Sequence, residues 1–139
     1  GLCLDKDINT VLYVDEAHVL LSSHNELGAE FLAQIQRRSR KYNTGTIIIT
    51  QQPTDFAAPN LIMHGKAIFD NASYYLVMGL RKQAIEDLSK LIDLNENERE
   101  GIKYYNQGDA LFVCGNRRMN MHVVVTQQEL DSFGSGGGL

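Results

Sequence analysis

Residues 11–18 read Val-Leu-Tyr-Val-Asp-Glu-Ala-His, an apolar run that ends in two adjacent carboxylates, Asp15 and Glu16. An open α/β sheet presents its ligand sites at the carboxyl ends of its strands. An acid pair placed there suits a magnesium-nucleotide site: the first acid can hold the metal and the second can orient or deprotonate water. A second apolar run, Thr46-Ile47-Ile48-Ile49, ends in Thr50-Gln51-Gln52. If the two runs are neighbouring parallel strands, Asp15 and Gln51 emerge on the same sheet edge, about 5 Å apart in the sheet direction. A glutamine beside an acid pair can sense a terminal phosphate or position the attacking water. Taken singly, Asp15 could equally cap a turn and Gln51 could be a polar strand end; the spacing of the set favours chemistry.

The elements between these residues must bring them together. Strand one is expected over 11–15, buried on both faces as in a parallel sheet, after a polar loop over residues 5–10. Ala17–Leu21 reads as one helical turn or a continuation of the strand exit, and Ser22–Asn25 breaks the pattern. Leu27, Phe31, Ile35 and Tyr42, with Leu32 beside them, form the apolar stripe of a helix over about residues 28–42. Asn43-Thr44-Gly45 ends it, with Gly45 as the expected left-handed cap, and strand two follows over Thr46–Thr50. Strand, helix and strand within about forty residues make a parallel crossover unit.

Pro53 stops strand two. Asn60 is expected to cap a helix reaching Asn71. A third strand is expected at Tyr74–Met78 and a helix over Arg81–Leu91. Asn95, with Glu98 three residues on, reads as a capping box that opens a helix to about Tyr105. Ala110–Cys114, the turn Gly115-Asn116 and Met119–Val125 read as a β-hairpin. Gln127–Phe133 is expected to be a short helix. The fold class that follows is α/β, a mostly parallel sheet flanked by helices, with a C-terminal antiparallel β-hairpin.

Arg37-Arg38-Ser39-Arg40-Lys41 places four cations in five residues near the end of the first helix. They suit a helix C-terminus, worth about 0.3–1 kcal/mol at an exposed site. That helix runs antiparallel to its strands, so its end lies at the sheet edge away from Asp15. From there the arginines can serve a neighbouring subunit's site; an arginine supplied in trans is worth roughly 10³–10⁵ in rate. His18 either couples to the carboxylates or packs at the start of the turn.

The 139 residues carry 43% hydrophobic and 22% charged residues, as a globular domain with a core requires. The formal net charge of -4 argues against a strongly basic domain that coats nucleic acid, though local basic patches stay open. The sequence has no window of ~18 consecutive apolar residues that would span a membrane, and its first residues lack the basic start and apolar h-region expected of a signal peptide. Two cysteines, Cys3 and Cys114, make neither a disulfide framework nor a zinc pattern.

The ordered set resembles a known family. Val11–His18 looks like a Walker B strand. Arg40–Gly45 followed by Ile47–Asp55 resembles the sensor region of the FtsK/HerA superfamily of RecA-like motor ATPases. Leu94–Glu98, Gly108–Phe112, the hairpin and Glu129 resemble the C-terminal end of the large conjugative ATPase of type IV secretion systems. The resemblance covers about residues 11–131. It implies that residues 1–133 are the C-terminal part of a RecA-like ATPase domain and 134–139 a Gly-rich tail or linker. It implies ATP and Mg2+ as cofactors: Asp15 holding the metal through its water shell, Glu16 polarising the attacking water, and Gln51 sensing the γ-phosphate. Arg40 becomes the first candidate for the finger, ahead of Arg37 and Arg38. The partners it implies are further copies in a hexamer and other secretion-system subunits, with DNA as a further candidate, at the cytoplasmic face of the cell membrane. One element of the family is missing: no Gly-x-x-x-x-Gly-Lys-Ser/Thr occurs in the chain. The expectation is therefore a C-terminal piece of a longer motor that is inactive alone. A chromosome-handling translocase of the same superfamily and a non-catalytic interaction domain are the alternatives.

Overall fold

The computed structural model describes residues 7–21 and 25–133, except for the side chains of Arg40 and Phe133. Cys3 and the Gly-rich segment 134–139 lie outside the described residues. The chain orders as β1 (Thr10–Val14), a 3-10 turn (Ala17–Leu21), α1 (Glu26–Arg38), a 3-10 turn (Ser39–Tyr42), β2 (Thr44–Ile48), α2 (Pro53–Phe56), α3 (Ile62–Asp70) and β3 (Tyr74–Met78). It continues with α4 (Lys82–Leu88), α5 (Glu96–Lys103), β4 (Asp109–Cys114), β5 (Arg117–His122) and α6 (Gln127–Phe133).

β1 and β2 pair in parallel, with Val14 opposite Ile48. The strand–helix–strand unit therefore forms as its spacing predicts, but with shifted bounds. β2 starts at Thr44, two residues earlier than expected, because the left-handed residue that ends the helical region is Asn43 (φ 47°) and not Gly45. Asn tolerates this conformation better than most residues, which frees Gly45 to enter the strand. The last turn of the expected helix, over Ser39–Tyr42, is 3-10 rather than α. Further along, Asn60 is not the cap of α3: Leu61 holds that position without a side-chain bond.

The mostly parallel sheet is not what these residues build. β1 and β2 form a two-stranded parallel sheet, and β3 instead joins the hairpin in a three-stranded antiparallel sheet ordered β3-β4-β5. The hairpin is as expected, with Gly115 at φ 56° in its turn, the positive φ that tight hairpin turns need. Its second strand starts two residues earlier than expected, at Arg117. The expectation that the first strands are buried on both faces also fails. Val11 and Tyr13 on β1, with Ile47 and the following Ile49, are all exposed, whereas Val14 and Ile48 pack inward. In these residues helices cover only one side of the parallel pair.

Two cores result. One gathers Ala17, Leu21, Leu32, Phe56, Leu61 and Ile68 beneath the parallel pair. The other gathers Val77, Ile85, Leu88, Ile102, Leu111 and Val113 beneath the antiparallel sheet. Phe69 packs against both. Its ring lies edge-on to Phe56 at 5.6 Å and stacks on Tyr75 at 5.9 Å, and the Tyr75 hydroxyl donates to its carbonyl at 2.6 Å. Burial raises the Tyr75 pKa above the ordinary phenol value, and the Asp70 charge adds to the effect.

Gly28 sets how the first core meets the strand ends. A Cβ at this position would sit 2.0 Å from the Leu20 carbonyl oxygen, so only glycine lets the first turn of α1 rest on the 3-10 turn that follows the acid pair. Asn25 caps that end of the helix, its side chain accepting from the Gly28 N–H at 3.1 Å.

Candidate functional site

The two parallel strands end together, and the ladder continues past them. Ile49 N–H donates to the Val14 carbonyl and Ala17 N–H to the Ile49 carbonyl, both at 2.9 Å. Between Val14 and Ala17 the chain carries the acid pair at the carboxyl edge of the sheet. Glu16 is held at φ 49°, a left-handed conformation that costs a non-glycine residue about 1–3 kcal/mol and clusters at functional positions. The Asp15 side chain accepts from the Glu16 N–H at 2.9 Å and helps to hold this bend. Asp15 itself is exposed.

Gln51 reaches the same edge from the second strand. Its Nε2 donates to Glu16 Oε1 at 2.6 Å, across 35 residues of sequence. Asp15, Glu16 and Gln51 are thus brought together at one rim. The loop beyond Gln51 is ordered by its own residues. Gln52 N–H donates to Thr50 Oγ1 at 3.1 Å, and Pro53 opens α2, where a missing N–H does no harm.

A fourth residue belongs to this rim, one the sequence leaves ambiguous. His18 Nδ1 lies 3.1 Å from Glu16 Oε2. Both atoms are buried and, despite the short distance, neither has a hydrogen-bond partner. An unmet buried polar atom typically costs about 1–3 kcal/mol. The sequence signal was there, a histidine three positions after an aspartate, but only the 3-10 turn brings its ring back over Glu16.

The arginines are placed elsewhere. Asn43 accepts from the Thr10 N–H at the start of β1, so the end of the α1 region lies at the amino edge of the sheet. Arg37 and Arg38 are exposed on the last turn of α1, away from the acid pair. The backbone of Arg40 sits in the 3-10 turn Ser39–Tyr42, and its side chain lies outside the described residues.

The donor set fits a magnesium ion shared with phosphates. Among the described residues no three of His, Cys, Asp and Glu converge to cage a metal by themselves. Mg2+ needs no such cage: it binds through one or two carboxylates and substrate phosphates and keeps several waters. The Asp15 carboxylate, exposed at the strand end, meets that requirement. Among the described residues no helix is long and apolar enough to cross a membrane.

Parallel strands ending in an acid pair, faced by an amide from the next strand, thus meet at the carboxyl edge, where open α/β sheets place their ligands. VirB4 of Thermoanaerobacter pseudethanolicus has the same fold over 91% of this chain and 34% of its own, with a TM-score of 0.83 and 32% identical residues. An uncharacterised protein of Bacillus anthracis is 23% identical over 133 residues, which make up 91% of this chain and 21% of that protein. The chain thus spans about a fifth of the curated relative and a third of the solved one. No protein-family profile matches it.

Proposed function

We propose that this chain supplies the water-activating and phosphate-sensing edge of a VirB4-like ATPase, the motor of a type IV secretion system. The observation that carries the reading is the hydrogen bond from Gln51 Nε2 to Glu16 Oε1 at the shared carboxyl edge of β1 and β2. It joins the group that would polarise water to the group that would feel the terminal phosphate. The likeness to VirB4 over 91% of the chain supports it.

In this reading Asp15, exposed at the strand end, holds Mg2+ through its water shell, and the metal when bound neutralises phosphate charge. Glu16 orients and polarises the attacking water. Gln51 contacts the γ-phosphate, and its bond to Glu16 couples nucleotide occupancy to the position of that carboxylate. Arg40, ahead of Arg37 and Arg38, reaches from one subunit of a hexamer into the site of the next. The amino-edge position of the α1 end supports action in trans, since Arg37 and Arg38 lie away from their own acid pair. The chain has no Gly-x-x-x-x-Gly-Lys-Ser/Thr, so the principal phosphate cradle comes from the remainder of a longer polypeptide. The 139 residues alone then bind ATP weakly and do not turn it over. Residues 1–133 act as the C-terminal part of the RecA-like domain and 134–139 as a tail. The motor works with other secretion subunits at the cytoplasmic face of the membrane and drives DNA or protein transfer or pilus assembly.

The test is Glu16→Gln in the full-length protein. Turnover should fall at least about 10²-fold, the lower range for loss of a positioned general base, with ATP binding retained. Turnover at the wild-type rate would leave the chain as a non-catalytic docking domain.

A further inference from the structure

Glu16 is approached from both sides. Gln51 Nε2 holds Oε1 at 2.6 Å, and His18 Nδ1 stands 3.1 Å from Oε2. We propose that His18 is a positioning residue for Glu16: it donates from Nδ1 to Oε2 and keeps the carboxylate aimed at the attacking water. The inference rests on the ATPase reading of the site and adds a residue to it.

Three observations carry it. First, the His18 ring does not hang on a free loop. Its backbone lies in the 3-10 turn closed by Val19 N–H to the Glu16 carbonyl, and that turn is tied to the second strand by Ala17 N–H to the Ile49 carbonyl, both at 2.9 Å. Second, Glu16 Oε2 and His18 Nδ1 are both shut off from solvent and both lack a hydrogen-bond partner. Two unmet groups at 3.1 Å need only a small ring rotation to satisfy each other, and burial favours that pairing. Third, Gln51 Nε2 carries two N–H donors, and a turn of the amide that aims them at a γ-phosphate takes them off Glu16. When its Nε2 turns to a γ-phosphate, Oε1 loses its donor, and His18 is then the side chain in place to hold the carboxylate. The contact therefore matters most in the nucleotide-bound state. Its loss should lower kcat and leave nucleotide affinity alone, because His18 faces Glu16 rather than the phosphates.

The experiment has two arms. In the full-length protein, His18→Phe keeps a ring without the donor, and His18→Asn keeps an amide donor near the Nδ1 position. His18→Phe should reduce kcat about tenfold, the lower range for losing a group that orients a catalytic one, with the Kd for a fluorescent ATP analogue unchanged. His18→Asn should recover most of the loss. Wild-type kcat in His18→Phe, or an equal loss in both variants, would overturn the proposal. The second arm needs no turnover. In the 139-residue chain, ring-nitrogen NMR should show the His18 Nδ1 resonance moving in Glu16→Gln while His64 and His122 stay in place; a His18 signal that does not move overturns the pairing. If the unmodified full-length protein hydrolyses no ATP, the ATPase reading falls, and the ring-nitrogen result alone then decides whether His18 holds Glu16.

Discussion

The parallel-strand rim and the antiparallel sheet with its helices differ in how well their polar groups are satisfied. In the second region nearly every device closes on itself. Asn95 accepts from the Glu98 N–H at 3.0 Å while Glu98 accepts from the Asn95 N–H at 2.9 Å, a complete capping box. Arg118 on β5 then spans Glu98 and the Asp93 carbonyl, each at 2.8 Å, and locks the hairpin to α5. Thr126 and Glu129 form a second reciprocal cap at the start of α6. At the rim, Glu16 is held in a left-handed conformation, and its Oε2 and His18 Nδ1 are buried without a hydrogen bond. Local satisfaction marks structure; strain and unmet groups gathered at one sheet edge mark a surface built for something else to complete.

The contrast can be broken by mutation. The largest stability effect should come from the self-satisfied half. Ile102, fully buried against the antiparallel sheet, should lose about 2–5 kcal/mol on Ile102→Ala, read as a fall in denaturant midpoint. Glu16→Gly should behave oppositely. It removes the left-handed strain along with the side chain, so stability should hold or rise by up to about 1 kcal/mol. A clear loss in Glu16→Gly would show that Glu16 supports packing rather than chemistry. Asn95→Ala, which opens the capping box, should cost about 1 kcal/mol and leave turnover of the full-length protein unchanged; loss of turnover without loss of stability would couple that helix to the rim.

The smallest effect is a pH dependence. Asp87 is 4% exposed, and the hydrogen bond from Lys90 chiefly holds its carboxyl below the usual carboxylate range, with further bonds from Gln83 and Thr54 opposing burial. A depressed folded pKa means the stabilisation is complete above the unfolded value near ~3.9 and is lost as pH falls through the folded one. Lys90→Ala should therefore move acid unfolding to higher pH, and Asp87→Asn should flatten the stability curve below about pH 4. A Lys90→Ala acid transition at the wild-type pH would show that the ion pair contributes nothing. Thr54 lies on α2, three residues past Gln51, so Asp87 also ties the loop after Gln51 to the second core.

Much of this is written in short stretches of chain. The acid pair after an apolar strand, the amide after the next, the helix between them, the Asn95–Glu98 cap and the hairpin all depend on residues within a few positions of each other, where side-chain type and period dictate the outcome. What the tertiary structure decided depends on which elements meet. Nothing in Tyr74–Met78 says whether its partner runs parallel or antiparallel; the hairpin's free edge settles it. Nothing in Val11–Val14 says that one face stays bare, because that depends on which helices pack there. Asn43 rather than Gly45 takes the left-handed position because the register with β1 starts at Thr44. The approach of Gln51 to Glu16 is likewise set by pairing, while the 3-10 turn brings His18 to the other oxygen: local sequence supplies the groups, and the strand register brings Gln51 within reach.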